Sequence, residues 1–160
     1  MMLEDILGYS FKRKILLTQA LTPPVLQQRK QGKVFERLEF LGDRVLGLVI
    51  AEALYVHYSH DEEGKLAKRL SYLTSREFCH IIAERIDLAQ FIPIKIDELK
   101  GTSVLANCME SIIAALYIDE PQQHKEPVRK HPLHDMVETM RYALHGHKEV
   151  AFLIFAGALI

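Results

Sequence analysis

The chain has 160 residues, of which 49% are apolar, and a formal net charge of −1. This length and apolar content support one domain with a substantial core. The balanced charge lacks the basic excess that usually marks a nucleic-acid-binding domain, although a cluster of acids masks local basic patches in such a count. No run approaches the roughly 20 apolar residues that span a bilayer, and the first residues lack a signal-peptide pattern. We therefore expect a globular domain without a membrane segment.

The two cysteines are predicted to be reduced thiols in the core. Cys79 and Cys108 both fall in apolar stretches with helical spacing. Disulfides are rare in intracellular proteins, and the chain has no Cys and His spacing typical of a zinc site. We therefore expect free cysteines and a cytoplasmic location.

Taken in chain order, the spacing of apolar residues predicts an all-α fold. The predicted helices span residues 3–7, 12–21, 34–58, 65–73, 75–86, 103–117 and 133–144. A polar loop over 27–33 precedes the longest helix, and another over 119–132 precedes the last one. We assign residues 1–146 to one domain and leave open the role of the apolar tail, residues 147–160.

The longest predicted helix carries three carboxylates along one edge. Glu36, Glu39 and Asp43 occupy relative positions 0, 3 and 7, and at 100° per residue they fall within an arc of about 60°. On a strand, Glu36 would face away from the other two. Such an edge is either a solvated acidic face or a site for a hard cation such as Mg²⁺, which takes oxygen ligands and removes the repulsion between the carboxylates.

Other positions of the same helix predict close packing. Gly42 and Gly47 lie inside it, where glycine costs up to about 1 kcal/mol relative to alanine. We interpret both as positions that another helix or backbone approaches closely. Four further residues with 3- and 4-residue spacing predict a buried stripe. They are Leu38, Leu41, Val45 and Leu48.

The apolar helix predicted over residues 103–117 presents two polar side chains on one face. Asn107 and Glu110 are three residues apart and are therefore neighbours on the helix surface. A carboxamide and a carboxylate on an otherwise apolar helix both need partners. The acidic edge of the longest helix, bridged by a cation, would supply them.

These segments resemble the ribonuclease III family. The family's signature helix is similar to ERLEFLGD followed by RVLGLVIAEALY, and its second acidic helix is similar to VLANCMESIIAALYID. The segments before and between them resemble LEDILGYSFKRKILLTQALT and EEGKLAKRLSYLTSREFCHIIAERIDL, so the resemblance covers about residues 3–119. It implies the family's all-α endonuclease domain fold, a dimeric helical bundle around the long signature helix.

The resemblance also implies an activity and a set of metal ligands. The activity would be that of a magnesium-dependent endoribonuclease that cleaves double-stranded RNA to 5′-phosphate and 3′-hydroxyl ends in rRNA or mRNA processing, with Mn²⁺ able to substitute. Glu39, Asp43, Asn107 and Glu110 would hold the metal directly or through water, and Asp43 and Glu110 would be catalytic. The family most often has Asp where this chain has Asn107, which keeps an oxygen donor but removes a negative charge. We therefore expect weaker magnesium binding.

Further residues have a functional and an ordinary interpretation. Glu36 would lie at the edge of the active site, and Glu63 would approach the site unless it only favours a helix N-terminus. Phe40 is either a core residue or, as the resemblance implies, a homodimer contact that inserts into the second subunit. Four basic residues are weak candidates for RNA phosphate contacts, since each taken singly is an ordinary surface charge. They are Lys65, Lys68, Arg69 and Arg76.

Two functions of other classes stay open. One is a noncatalytic RNA-binding or ribosome-associated module on the same fold, against which the mutually repelling acids argue. The other is a regulatory dimer that binds RNA without cutting it. Asn107 favours this second function, as does a chain too short for the family's usual double-stranded-RNA-binding domain, which a separate RNA-binding protein would then replace. His60-Asp61 and His134-Asp135 resemble pairs in metal phosphohydrolases of the HD type, but no further ligands fall on predicted helices around them.

Overall fold

The computed structural model describes residues 2–26, 29–95, 99 and 102–119, without the side chains of residues 29–32. The predicted helix at 133–144, most of the loop before it and the apolar tail therefore lie outside the described residues. The assignment of residues 1–146 to one domain stays a prediction for the same reason.

Every regular element within the described residues is a helix, as predicted. The α-helices are α1 Leu3–Leu7, α2 Lys14–Ala20, α3 Arg29–His57, α4 Glu63–Leu73, α5 Arg76–Arg85 and α6 Val104–Asp119. Short 3₁₀ turns lie at Pro24–Leu26 and Leu88–Phe91. Among the helices described, none combines the length and the apolarity needed to cross a bilayer.

The longest helix, α3, begins at Arg29, where the sequence predicted a polar loop over 27–33. That part of the prediction was wrong because polarity does not decide helix formation. Residues 29–33 are mainly Arg, Lys and Gln, whose straight side chains have good intrinsic helix propensity. α3 therefore forms a scaffold of 29 residues, about 44 Å long, with the acidic edge in its first half.

The centre of the domain is α6. Apart from a face that carries Asn107 and Glu110, it is largely apolar, which is typical of a mostly buried helix, and it packs against α2, α3 and α5. Ile113, Ala114 and Ala115 have no exposed surface. Cys79 and Cys108 are free and buried, as predicted, and burial raises the pKa of each thiol to about 12. Both thiols therefore stay protonated at neutral pH.

Gly42 is the point where α3 approaches α6 closely. A Cβ atom added there would overlap the backbone carbonyl oxygen of Glu110 and lie 3.2 Å from its Cα. The predicted close approach is confirmed for Gly42. It is wrong for Gly47 with respect to the described residues, none of which would come within 4 Å of an added Cβ. Gly42 therefore sets the spacing between the two central helices beside the predicted acids.

The buried face of α3 departs from the predicted stripe at one residue. Leu38 and Val45 are buried and Leu41 is half-buried, whereas Leu48 is 63% exposed. Leu48 lies roughly 80° around the helix from Leu38, outside the arc that faces α6. Leu46, which the predicted stripe left out, is buried instead.

Asp119, the last residue of α6, connects that helix through hydrogen bonds to the residues just before α2. Its side chain has no exposed surface, and it accepts hydrogen bonds from the backbone N–H groups of Lys12 (2.7 Å) and Arg13 (2.9 Å) and from the hydroxyl of Tyr9 (2.9 Å). The Arg13 guanidinium also donates to this carboxylate and to the carbonyl oxygen of Ile118. Burial alone would raise the pKa of Asp119, but the donated hydrogen bonds outweigh it and hold the pKa below its ordinary value.

Candidate active site

An open cavity of about 590 Å³ lies where α3, α6 and the start of α5 meet. Four acids, an aromatic ring, a hydroxyl group and a guanidinium group line it. These residues are Glu36, Glu39, Phe40, Asp43, Thr74, Arg76 and Glu110. The structure thus brings the acidic edge of α3 and the carboxylate of α6, which were predicted from separate segments, to one surface.

Helical periodicity and one close contact place these acids. Glu36, Glu39 and Asp43 follow one another by about one turn along the side of α3 that faces the cavity. Glu110 enters from α6, at the level where Gly42 lets the two helices approach. Glu36 is exposed, whereas the other three carboxyls are half-buried. Glu36 therefore forms a solvent-exposed rim of the cavity, and the other three acids form its partly buried interior.

Burial and the charges of neighbouring carboxylates favour protonation of Glu39 and Glu110. Burial, followed by the charges of Asp43 and Glu39, raises the pKa of Glu110 to about 7. Burial likewise raises the pKa of Glu39, and in both cases the charge of Arg76 opposes the shift. A carboxyl group whose pKa is raised beside other carboxylates lacks enough nearby positive charge to stabilise its ionised form. The cavity therefore favours the arrival of a cation.

Asn107 lies about one turn before Glu110 on α6, but it is not among the residues that line the cavity. Its Oδ1 atom is buried, and no described residue donates a hydrogen bond to it. Leaving a buried polar atom without a partner costs about 1–3 kcal/mol. The oxygen is therefore available as a ligand or as an acceptor.

The candidate ligands supply the oxygen atoms that magnesium prefers, but they do not form a complete coordination sphere. The part of the chain that the structure describes contains no group of three or more Asp, Glu, His or Cys side chains that could already hold a metal ion. The predicted ligands are nevertheless all oxygen donors, which Mg²⁺ prefers, and Mg²⁺ usually keeps several waters and takes only one or two carboxylates. The residues fit a metal held partly through water.

The other predicted site residues have different surroundings. Glu63 is the first residue of α4 and lies outside the cavity. Lys65 and Lys68 are exposed on the same helix and do not line it either. Among the four basic candidates for phosphate contacts, Arg76 alone reaches the cavity.

Arg69 is held at the junction of α3 and α4. Its guanidinium forms an ion pair with Asp61 at 2.9 Å and lies 4.0 Å from the centre of the Tyr58 ring. The side chain is only 13% exposed. These contacts favour a structural role for Arg69 over a phosphate contact.

Thr74 is the cavity residue that the sequence did not suggest. It follows α4, and its hydroxyl donates to the carbonyl oxygen of Leu70 (2.8 Å). The neighbouring Ser75 caps α5 by accepting a hydrogen bond from the N–H of Phe78 (3.1 Å). A serine cap is recognisable in a sequence, and it marks the boundary between α4 and α5. Thr74 could have been assigned to this boundary from that signal.

Phe40 belongs to an exposed apolar face of α3. It is 69% exposed, which excludes the core interpretation. Leu48 and Tyr55 lie on the same side of the helix and are 63% and 74% exposed. Apolar side chains that line up in solvent are typical of a protein–protein contact.

The fold and the cavity together define the class of this protein: an all-helical domain with a carboxylate-lined site between its two central helices. A sequence model of the ribonuclease-III-like family matches residues 13–135. The chain belongs to this family.

Curated relatives agree with this membership. Ribonuclease 3 of Rickettsia felis is 42% identical over an alignment that covers 73% of this chain and 56% of that protein. Ribonuclease 3 of Agrobacterium fabrum is 43% identical, with coverage of 73% and 51%. The chain therefore spans about half the length of the curated relatives it matches.

Solved structures with the same fold include the nuclease domain of ribonuclease III from Campylobacter jejuni. One structure of that domain has a TM-score of 0.72 at 29% identity and covers 89% of this chain and 96% of its own. A second has a TM-score of 0.70 at 30% identity, with coverage of 91% and 93%. The first is described as showing structural flexibility in a region involved in dimer formation. These matches confirm the predicted nuclease-domain fold.

Proposed function

We propose that this chain is the nuclease domain of a ribonuclease III-type endoribonuclease, which hydrolyses double-stranded RNA to 5′-phosphate and 3′-hydroxyl ends in rRNA or mRNA processing. The observation that carries the proposal is that Glu39, Asp43 and Glu110 meet in one open cavity of a chain that belongs to the family. The raised pKa values of Glu39 and Glu110 support it, because perturbed titration in a cleft is typical of functional sites.

The proposed ligands of Mg²⁺, or of Mn²⁺ in its place, are Glu39, Asp43, Asn107 and Glu110. When bound, the metal lowers the pKa of a water molecule and polarises the scissile phosphate. Glu110, with a pKa of about 7, gives up its proton as positive charge arrives, so proton release accompanies filling of the site. Asn107 supplies an oxygen without a charge, which leaves the negative charge of the ligand set to the three carboxylates.

The RNA is proposed to be recognised by shape rather than by sequence. Duplex RNA presents its 2′-hydroxyls and phosphates across a wide, shallow minor groove, while its bases are hard to read. Contacts to phosphates make such binding strongly salt-dependent. Exposed Glu36 lies at the rim of the cavity, where the proposed RNA strand enters.

A homodimer is part of the proposal. The exposed face of Phe40, Leu48 and Tyr55 offers an apolar contact surface on α3, and the Campylobacter jejuni nuclease domain has a region involved in dimer formation. A two-fold dimer repeats each site symmetrically. Two cavities would then be present, one for each RNA strand.

Asn107 favours a second candidate function, an RNA-binding module that does not cut. The loss of one negative charge weakens cation binding, and the described acids do not form a ready-made metal group. Under this alternative, the fold and the dimer serve to bind duplex RNA for another protein.

A cleavage assay distinguishes the two functions. A long RNA duplex is incubated with the chain in Mg²⁺ at low salt, beside Glu110→Ala and an EDTA control. We expect shorter duplex fragments with 5′-phosphates from the wild-type chain and intact duplex from both controls. Glu52→Gln changes an acid of α3 that lies outside the cavity and should cleave like the wild type. A folded dimer that binds the duplex and leaves it intact would replace the nuclease with the binding module.

A further inference from the structure

We propose that Arg76 is a substrate-binding residue of this site, whose guanidinium binds a phosphate of the RNA strand that is cut. The proposal rests on the proposed function, since it names how the same cavity holds its substrate. The cavity is otherwise lined by four carboxylates, which repel a polyanion. A cationic side chain in the cavity, beside the proposed metal, therefore favours the approach of an RNA strand.

The start of α5 holds Arg76 at the cavity. Arg76 is the first residue of that helix, directly after the Ser75 cap, whose hydroxyl accepts a hydrogen bond from the N–H of Phe78 at 3.1 Å. Phe78 is buried on the opposite side of the same turn, and Cys79 is buried in the next turn. The backbone that carries Arg76 is therefore fixed, while the side chain is exposed in the open cavity.

The charge of Arg76 is not used by an ion pair. None of the ion pairs within 4.0 Å among the described residues involves it, whereas Arg13, Arg44 and Arg69 each have a carboxylate partner. Its field still reaches Glu39 and Glu110, whose pKa values it lowers against burial. Arg76 thus stands near acids that it does not neutralise by contact.

The chemistry of guanidinium favours phosphate as the ligand. It carries five N–H donors in a planar fork that matches two phosphate oxygens at once, and it keeps its charge at every physiological pH. A counter-ion with a purely structural role would be paired and enclosed, as Arg69 is with Asp61. An unpaired fork in an open cavity is suited to an anion that arrives with the substrate.

Single-turnover cleavage tests the assignment with a control on the same helix. Arg85 is exposed in the last turn of α5, about 13.5 Å along the axis from Arg76. We expect Arg76→Ala to lower kcat/KM roughly 10- to 100-fold, the effect of one lost hydrogen bond between charged groups. Arg76→Lys should recover part of this loss because it restores the charge without the fork. Equal cleavage by Arg76→Ala and Arg85→Ala would overturn the proposal.

Mn²⁺ binding, measured by electron paramagnetic resonance at pH 8.5, should change in the direction opposite to cleavage. Removing a cation beside the acids should tighten Mn²⁺ binding about two- to fivefold, the strength of an exposed charge pair, while cleavage falls. Weaker Mn²⁺ binding together with lost cleavage would assign Arg76 to the architecture of the site and would also overturn the proposal.

If the wild-type chain binds duplex RNA but does not cleave it, the proposed function fails and duplex binding decides the role of Arg76. The dissociation constant of the duplex in Ca²⁺ should then rise more for Arg76→Ala than for Arg85→Ala. An equal rise would remove Arg76 from the binding site.

Discussion

Two carboxylates of α6, nine residues apart, have opposite surroundings. Asp119 is enclosed and accepts hydrogen bonds from Tyr9, Lys12 and Arg13. Glu110 is half-buried, accepts none from the described residues, and faces Asp43 and Glu39. Burial pushes both pKa values upward, but the net shift is downward for Asp119 and upward for Glu110.

The difference shows what separates a structural carboxylate from one proposed to be functional on the same helix. Burial disfavours charge at either position, and only donated hydrogen bonds or nearby cations restore it. The fold itself supplies those donors to Asp119, so its charge serves stability. The fold supplies more acids to Glu110, so its charge needs something from outside the chain.

The largest expected effect on stability follows from Asp119→Ala. This change leaves the part-buried backbone donors of Lys12 and Arg13 without their acceptor, and we expect the free energy of unfolding to fall by about 2–4 kcal/mol. Urea denaturation at pH 7 in EDTA measures it. Glu110→Ala is the matched change at the other carboxylate and should cost far less. Similar losses at both positions would remove the contrast between them.

A second test concerns the spacing of the helices at the Glu110 end. Gly42→Ala forces a methyl group onto the Glu110 backbone, and we expect it to lower the free energy of unfolding by about 1–3 kcal/mol. Gly47→Ala makes the same chemical change in open space and should raise it by about 0.5–1 kcal/mol. Thermal unfolding of both variants measures the difference. Opposite signs are expected, and equal shifts would contradict the close approach at Gly42.

A third test adds a negative charge to α6 near Glu110. Asn107→Asp adds a negative charge one turn before Glu110, so we expect the half-saturating Mg²⁺ concentration for cleavage to fall severalfold, by about 1 kcal/mol in binding. Titration of the cleavage rate with Mg²⁺ measures it. An unchanged Mg²⁺ dependence would remove Asn107 from the proposed ligand set.

A fourth test concerns the dependence of stability on pH in the absence of metal. Because the folded chain holds the Glu110 proton more tightly than the unfolded chain does, native stability falls as pH rises from the ordinary carboxyl pKa of 4.5 to about 7, according to proton linkage. Glu110→Gln has no such proton. Its melting temperature relative to the wild type should therefore rise across this window and level off above it.

The sequence was most informative where function follows from local periodicity. Helical spacing alone predicts that Glu36, Glu39 and Asp43 share an edge, and the cavity contains all three. The spacing of Asn107 and Glu110 on an otherwise apolar helix indicated the partner segment without the resemblance. The interpretation of Gly47 was wrong because spacing along a helix does not tell how wide an arc its neighbours cover.

The sequence pattern did not predict the side-chain contacts of Asp119 and Arg69. Asp119 looks like any polar residue at the end of an apolar helix, and its donors lie more than 100 residues earlier. Arg69 looked like a surface charge until the fold placed it against Asp61 and Tyr58. Such pairings depend on how helices pack in three dimensions, which periodicity along one helix does not contain.

The contact between Gly42 and Glu110 also has a consequence for folding. The two residues are separated by 68 positions, so the acids come together only after a long loop has closed and α3 has docked on α6. A compact acid-denatured state that retains its helices but loses specific packing would keep the acidic edge of α3 and still lack the site. Recovery of catalytic function during refolding should therefore coincide with formation of tertiary structure and lag behind the return of helical circular dichroism.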